Sequence, residues 1–409
     1  MGVGRVVTTT IGTLLILGVG VYGPATLLGP LPEVSTSTIA PPEPETSPPL
    51  LPSAGGSALT ENPGGTPLAV AGETDAVPMA AATKVVAALV VLDAHPLGVD
   101  DEGDVVPITT EDFLSFMDYK AAGARTVTVY TEDEWSERGM LQALLLGSSN
   151  NHADTLVRWA FGSVEEYLTA ADEWLDDNGL TGITVADATG LSDESTGTAA
   201  DLATVAALAL QDPAIDSILT SDVEGLPSRR GIENTTVYLP ELGVTGVTRS
   251  YTDSAGICLL FGLSVDVGDV TYRAYGAILR QEDWDSLESS VRALAEQAST
   301  AVTSEPLVQD GTPLVEISAP WGETVTASAG SAVTAPHWTV ETPRIEFTLE
   351  KPTASGPGTV VGSIEATAGG RTETAPLRLD ERLQDPGVLW RLSHPIPVIA
   401  AWIEELQAG

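Results

Sequence analysis

The apolar positions along the chain change their spacing from one region to the next. Residues 85–92, VVAALVVL, contain no polar residue, so a helix formed here has no polar face and must be buried on all sides. Residues 134–146 and 285–298 instead place their large apolar residues about one turn apart, as amphipathic helices do. The pattern therefore predicts one central buried helix with amphipathic helices around it.

Three runs rich in β-branched and aromatic residues, 243–249, 256–263 and 270–280, predict consecutive strands. Helices before and after such strands are typical of an α+β fold in which helices flank an antiparallel sheet. From about residue 304 the pattern becomes short strands separated by Gly and Pro, which predicts a small C-terminal all-β domain of sandwich type. We place the two domains at 66–303 and 304–385.

The N-terminal residues 6–32 carry no charge and follow Arg5, and about 20 apolar residues are enough to cross a bilayer. A cleavable signal peptide is the alternative, but Pro24 follows the only suitable cleavage position, Gly23. We predict an uncleaved anchor within residues 1–32. The positive-inside rule then makes the protein a single-pass protein of the cell membrane, with the bulk of the chain extracytoplasmic.

Residues 33–65 are rich in Pro, Ser, Thr and Gly and contain few large apolar side chains, so we predict a tether. The tail, 386–409, contains a possible short helix at 397–406. Glu404 and Glu405 disfavour anionic lipid there, and docking onto the protein is the favoured interpretation.

Composition excludes several classes of function. The net charge of −39 repels nucleic acid. A single cysteine, Cys258, excludes an internal disulfide framework, and its apolar surroundings predict a buried hydrophobe. The four histidines lack the spacing of metal ligands, so we expect neither metal nor cofactor. His152, beside a Ser-rich loop, is predicted at a surface or cap position.

Lys84 is the first candidate for a functional site. It stands at the start of the buried helix, where an ammonium group needs a partner or a cavity because burying it unpaired is costly. Only two other lysines occur, Lys120 and Lys351, and both are predicted to be surface residues.

Three segments around Lys84 and further along the chain carry a family resemblance. Residues 80–84, AAATK, resemble an Ala-Ser-X-Thr-Lys motif with Ala81 in place of the serine. Ser148-Ser149-Asn150 matches Ser-X-Asn, and residues 243–261 resemble a strand that carries Lys-Thr-Gly. With the run 181–206, they make the chain similar, over about 67–298, to the D-alanyl-D-alanine carboxypeptidases. These are the low-molecular-mass penicillin-binding proteins.

The resemblance implies a β-lactamase/transpeptidase-like fold and a set of site residues. Lys84 would take a proton from the missing serine, Ser148 would shuttle protons, and Asn150 would bind the substrate backbone. The substrate's terminal carboxylate would lie against the strand, whose candidate substrate-binding residues are Thr248, Arg249, Ser250 and Tyr251. Backbone donors near Ala81 and Tyr251 would form the oxyanion hole.

Two departures from the motifs decide the functional hypothesis. Ala81 has no hydroxyl to be acylated, and Arg249 cannot simply replace the lysine, since adjacent strand residues point to opposite faces unless a bulge intervenes. The leading hypothesis is an inactive homologue that binds peptidoglycan stem peptide or a cell-wall synthesis protein. The alternatives are an active serine-type carboxypeptidase with a substitute nucleophile such as Ser148, and a purely structural spacer.

Overall fold

The computed structural model describes residues 10, 20, 22–40, 47–220, 223, 226–227, 232–339, 344–350, 354–368 and 371–408. Its helices are α1 Gly23–Leu27, α2 Ala82–Ala94, α3 Thr110–Ala121, α4 Glu137–Leu145, α5 Asn150–Phe161, α6 Val164–Asp177, α7 Ala199–Gln211, α8 Pro213–Thr220, α9 Trp284–Ala301, α10 Gly387–Ser393 and α11 Pro395–Ala408, with a short 3-10 turn at Pro240–Leu242.

The first strands are β1 Ser35–Thr38, β2 Gly56–Thr60, β3 Ala69–Gly72, β4 Val77–Pro78, β5 Val105–Pro107, β6 Glu134–Ser136, β7 Ile183–Thr184 and β8 Thr196–Gly197. They are followed by β9 Val244–Thr252, β10 Gly256–Val267, β11 Val270–Gln281, β12 Val302–Thr303, β13 Pro306–Val308 and β14 Pro313–Ser318. The last are β15 Thr324–Ala329, β16 Val333–Thr334, β17 His337–Trp338, β18 Arg344–Leu349, β19 Val360–Ala368 and β20 Arg371–Leu379. Contacts divide the chain into two units.

The larger unit, Glu45–Ser304 with Pro336–Glu341, is built on a five-stranded antiparallel sheet in the order β3-β2-β11-β10-β9. One apolar cluster lies between this sheet and helices α2, α4, α5 and α7. A second lies between the sheet and α9. Helices therefore cover both faces of the sheet, which confirms the predicted α+β class.

Helix α2 is the central helix of this unit, as its sequence predicted. Every residue from Ala82 to Leu92 is buried, Lys84 included. Burying the apolar side chains of this helix removes them from water on all sides, at about 25 cal/mol for each Å² of apolar surface. This burial fixes the N-terminus of α2, and with it Ala81 and Lys84, against the edge of the sheet.

The smaller unit contains a six-stranded antiparallel sheet, β1-β14-β15-β20-β19-β18, and a two-stranded ribbon, β13-β16. Its apolar cluster includes Leu314, Ile317 and Leu377, all fully buried. The all-β region expected after residue 304 is present. In the tail, Tyr22 Oη donates to Leu392 O at 2.5 Å and Arg391 Nη1 to Gly29 O at 2.8 Å, so the tail packs on α1.

The prediction of a tether over 33–65 was wrong for two segments. Ser35–Thr38 pairs with β14, and Gly56–Thr60 is a fully buried strand between β3 and β11. Small residues such as Ser57 and Ala58 fit a crowded sheet and are held by backbone hydrogen bonds, which a count of large apolar side chains does not register. The larger unit accordingly begins before residue 66.

The predicted membrane anchor lies mostly outside the described residues, as does Lys351. Among the described residues, no single helix has the length and apolar character needed to cross a membrane. The consecutive helices α7 and α8, bent by 85°, meet that criterion together by length and composition only.

Candidate active site

A cavity of about 580 Å³ lies in the larger unit beside the edge strand β9. Its walls come from the N-terminus of α2, the loop before α5, the loop 189–191, β9 and the start of α9. Of the predicted site residues it brings together Ala81, Lys84, Ser148, Asn150, Arg249, Ser250 and Tyr251. Thr248 does not line it.

Ala81 is the N-cap of α2, and no side chain caps the helix there. The preceding residue, Ala80, has a φ of +48°, a left-handed conformation that is strained for a residue other than glycine. Gly190 packs so closely that a Cβ at this position would lie 1.8 Å from Ala80 O. The sharp turn into the helix is therefore retained although Ala81 presents only a methyl group.

Lys84 has the partner that its burial requires. Its Nζ donates to Thr189 O at 2.5 Å, and only 4 % of the residue is exposed. Desolvation lowers the pKa of Lys84 to about 8, against the opposing attraction of Asp187 and Asp154. The amine therefore loses its proton at a lower pH than the ordinary pKa of 10.5 would give.

The loop that holds Lys84 is organised by Asp187, a residue that the sequence analysis missed. The Asp187 carboxylate accepts hydrogen bonds from Gly190 N, Leu191 N and Ser195 Oγ, at 2.6–3.0 Å. The family resemblance covered the run 181–206, and an acidic residue followed by Thr and Gly within it was the available signal.

The loop Ser148-Ser149-Asn150 approaches the cavity through a second strained residue, since Ser148 has a φ of +50°. Ser149 is fully buried and accepts from Val127 N at 3.0 Å, while Asn150 N donates to Arg125 O at 3.0 Å. Residues 124–130 form no strand. Their backbone is tied to the 149–151 loop.

The prediction for His152 was wrong. It is fully buried, with Nδ1 2.8 Å from Ser149 Oγ and its ring in an edge contact with Trp135. Burial lowers the pKa of His152 to about 3, so the ring is neutral. His152 does not line the cavity and instead contacts the buried hydroxyl of Ser149.

Strand β9 supplies a cation from Arg249, the residue that follows the position of the family's lysine. Thr248 is buried and does not line the cavity, whereas Arg249 does. A register shift between Leu260 and Phe261 leaves Val247 as an extra residue of β9, which is the geometry of a β-bulge. The bulge that the sequence analysis named as the condition for Arg249 to replace the lysine is therefore present.

Arg249 lies between two aromatic rings, with its guanidinium carbon 5.4 Å from each ring centroid, those of Tyr238 and Trp284. Cation–π contacts of this kind hold a guanidinium without neutralising it. Ser250 Oγ is buried without a hydrogen-bond partner among the described atoms, and Tyr251 is exposed. Strand β9 thus presents one charged group, the guanidinium of Arg249, and one hydroxyl without a described partner, that of Ser250.

Lys84 and Ser148 both line the cavity, but no hydrogen bond joins them. Ser148 Oγ makes no hydrogen bond with a described residue, and Lys84 Nζ donates to Thr189 O. Nucleophile activation requires contact between hydroxyl and base.

Cys258 is buried as predicted, and no group of three His, Cys, Asp or Glu among the described residues could hold a metal ion.

Comparison with known proteins gives a consistent result. Residues 45–267 match the peptidase family described as D-alanyl-D-alanine carboxypeptidase. Penicillin binding protein 5 from Haemophilus influenzae is similar in structure, with a TM-score of 0.57 and 17 % identity, covering 85 % of this chain and 100 % of that one. Penicillin binding protein 6B from Escherichia coli has a TM-score of 0.57 and 17 % identity, covering 83 % and 97 %.

A D-alanyl-D-alanine carboxypeptidase from Mycobacterium tuberculosis is similar over a shorter part of the chain. Its TM-score is 0.51 at 22 % identity, and the match covers 63 % of this chain and 95 % of that one. No curated protein matches the sequence significantly.

Proposed function

The chain belongs to the D-alanyl-D-alanine carboxypeptidase family, and from that premise we propose that it is an inactive member that binds peptidoglycan stem peptide. The observation that carries the proposal is Ala81. It occupies the helix N-terminus one turn before Lys84, where the family's serine would stand, and a methyl group cannot form an acyl-enzyme. The function left to the site is recognition.

The state of the cleft supports binding rather than a purely structural role. The cavity has a volume of about 580 Å³, and the strained residues Ala80 and Ser148 both line it. Strained conformations persist where the surrounding structure or a function maintains them. Asn150 Oδ1 is buried there without a hydrogen-bond partner among the described atoms, so a ligand N–H would satisfy it.

We further propose that the protein is a single-pass protein of the cell membrane, anchored by residues 1–32, with both units outside the cytoplasm. The support is the uncharged run 6–32 following Arg5. Membrane fractionation tests this part. Recovery of soluble protein that begins after Gly23 would contradict it.

Inactivity is tested by incubating the purified protein with benzylpenicillin and measuring its intact mass. We expect no adduct, because losing a member of a catalytic unit typically costs on the order of 10⁴ to 10⁶ in rate. A stoichiometric penicilloyl adduct would refute the proposal, and its location on Ser148 would establish the active-enzyme alternative.

Binding is tested by calorimetric titration with the peptide acetyl-Lys-D-Ala-D-Ala. We expect saturable binding that weakens about tenfold in Asn150→Ala, which removes a buried amide from the cavity. Asn178→Ala is the matched control, because Asn178 carries the same side chain and does not line the cavity. Absence of binding to this peptide, with capture of a cell-wall synthesis protein instead, would replace the peptide by a protein partner.

A further inference from the structure

The charge of the cavity wall is opposite to that of the chain. The protein has 18 Lys and Arg against 57 Asp and Glu, yet three cations, Lys84, Arg125 and Arg249, line this one cavity. Glu288 is the carboxylate among its described lining residues. Concentrating positive charge in a concave site of an acidic protein favours an anionic ligand there.

Two of these cations are available to a ligand. Lys84 Nζ is engaged by Thr189 O, whereas the side chains of Arg125 and Arg249 make no hydrogen bond or ion pair with any residue that the structure describes. Arg249 is fixed in direction by the rings of Tyr238 and Trp284. A held guanidinium loses little further freedom when it binds a carboxylate.

Arg125 starts from a different element of the cavity wall. Its carbonyl accepts from Asn150 N at 3.0 Å, and two residues on, Val127 is bound by Ser149 Oγ and by the Asn151 side chain, at 3.0–3.3 Å. The backbone of Arg125 is therefore rigidly attached to the loop before α5, while Arg249 projects from β9. The cavity presents separate cations on two walls.

Unpartnered polar atoms line the same cavity as those cations. Asn150 Oδ1 is a buried acceptor without a donor, and the Ser250 and Tyr238 hydroxyls are also unpartnered among the described atoms. We propose that the cavity has a second anion site, on Arg125, so that the ligand is a peptide with an acidic side chain in addition to the C-terminal carboxylate that the family resemblance assigns to the strand. This proposal rests on the proposed function in taking the ligand to be a peptide.

The test uses the full chain and four peptides: acetyl-Glu-Lys-D-Ala-D-Ala, its C-terminal amide, its Glu-to-Gln analogue, and the analogue with both changes. We expect each lost carboxylate to weaken binding about tenfold in calorimetric titrations, the effect of a charge-assisted hydrogen bond. In Arg125→Gln the Glu/Gln difference should disappear while the acid/amide difference remains, and Arg249→Gln should do the reverse. This crossed pattern is a double-mutant cycle.

Arg273→Gln controls for overall charge, because Arg273 is exposed and does not line this cavity. Both differences should survive in that variant. If the wild-type protein binds none of the four peptides, the proposed function itself fails. If it binds them but Arg125→Gln leaves the Glu/Gln difference intact, the second anion site is overturned while peptide binding stands.

Discussion

The two sides of the cavity differ in how far they match the family motifs. One side, which we call the lysine wall, consists of Lys84, Thr189 and the loop Ser148-Ser149-Asn150. The other, the strand wall, is β9 from Thr248 to Tyr251. On the lysine wall each family motif residue is present, whereas Lys-Thr-Gly on the strand wall has become Thr-Arg-Ser.

Residues of the lysine wall also have a structural role. Lys84 Nζ binds a backbone carbonyl 105 residues away, and Ser149 holds the backbone at Val127, so both also hold the fold together. Position 81, by contrast, caps α2 without a side-chain hydrogen bond, so the fold places no such demand on it.

The largest effect is expected from restoring the family residues at the altered positions, which tests whether the two walls differ as described. The quadruple variant Ala81→Ser, Thr248→Lys, Arg249→Thr and Ser250→Gly should acylate with penicillin at a measurable rate, provided that a lysine side chain at position 248 reaches the cavity that Thr248 does not line. Ala81→Ser alone should gain far less, since the strand wall still differs from the family motif. Both are measured by the penicilloyl mass shift and D-alanine release.

Full turnover by the single variant would show that the strand wall is competent as it stands. A quadruple variant that folds but stays inert would place the loss of function outside the motifs.

Gly190, which follows Thr189 of the lysine wall, tests how much the packing of this loop contributes to stability. In Gly190→Ala, with φ at +73° and the new Cβ 1.8 Å from Ala80 O, the backbone must move, which should lower the free energy of unfolding by about 2–5 kcal/mol. Gly179→Ala is the control: its φ is +69° but no atom lies within 4 Å, so about 1 kcal/mol is expected. Equal losses in denaturant unfolding would contradict the close packing of the Gly190 loop on α2.

The amine of Lys84 provides a prediction about pH. Its amine should lose its proton near pH 8, not near 10.5, because burial disfavours the charged form. With three lysines in the chain, labelled Cε signals can be followed individually by NMR, and Lys84→Met identifies the signal. Since the folded pKa lies below the unfolded one, stability should rise as the pH goes from about 8 towards 10.5. Three titrations near 10.5 would contradict the buried contact with Thr189.

The smallest expected effect distinguishes two adjacent serines. Ser149→Ala removes a buried hydroxyl that bonds Val127 N and His152, and should lower the free energy of unfolding by about 1–3 kcal/mol. Ser148→Ala, whose hydroxyl makes no hydrogen bond with a described residue, should change it by less than about 0.5 kcal/mol. A larger loss at Ser148 would mean that this residue too is retained for stability.

The sequence predicted the buried helix α2, the three strands β9 to β11 and the place of Lys84, because each depends on a local apolar pattern. It named Arg249 as a candidate but could not predict the bulge at Val247, which is a property of strand register. The burial of His152 was missed for a similar reason. Its partners, Ser149 and Trp135, meet it only through tertiary packing.

Strands β1 and β2 show a second limit of predicting structure from the sequence. Their sequences, STST and GSALT, resemble linker composition, and both are defined by pairing with strands more than 200 residues later. Local propensity is a weak guide to strands whose stability comes from long-range partners. The same limit applies to Asp187, whose role as the centre of a loop appears only in its hydrogen bonds.

The pairing of β1 with β14 also sets an order of events during synthesis. Ser35 lies opposite Ser318, so β1 must wait for some 283 further residues before its partner strand exists. All strands of the larger unit's five-stranded sheet are complete by residue 281. A chain that emerges N-terminus first can therefore finish that sheet while β1 is still unpaired. The Ser and Thr side chains of β1 suit that interval, because an apolar strand with free edges would invite aggregation.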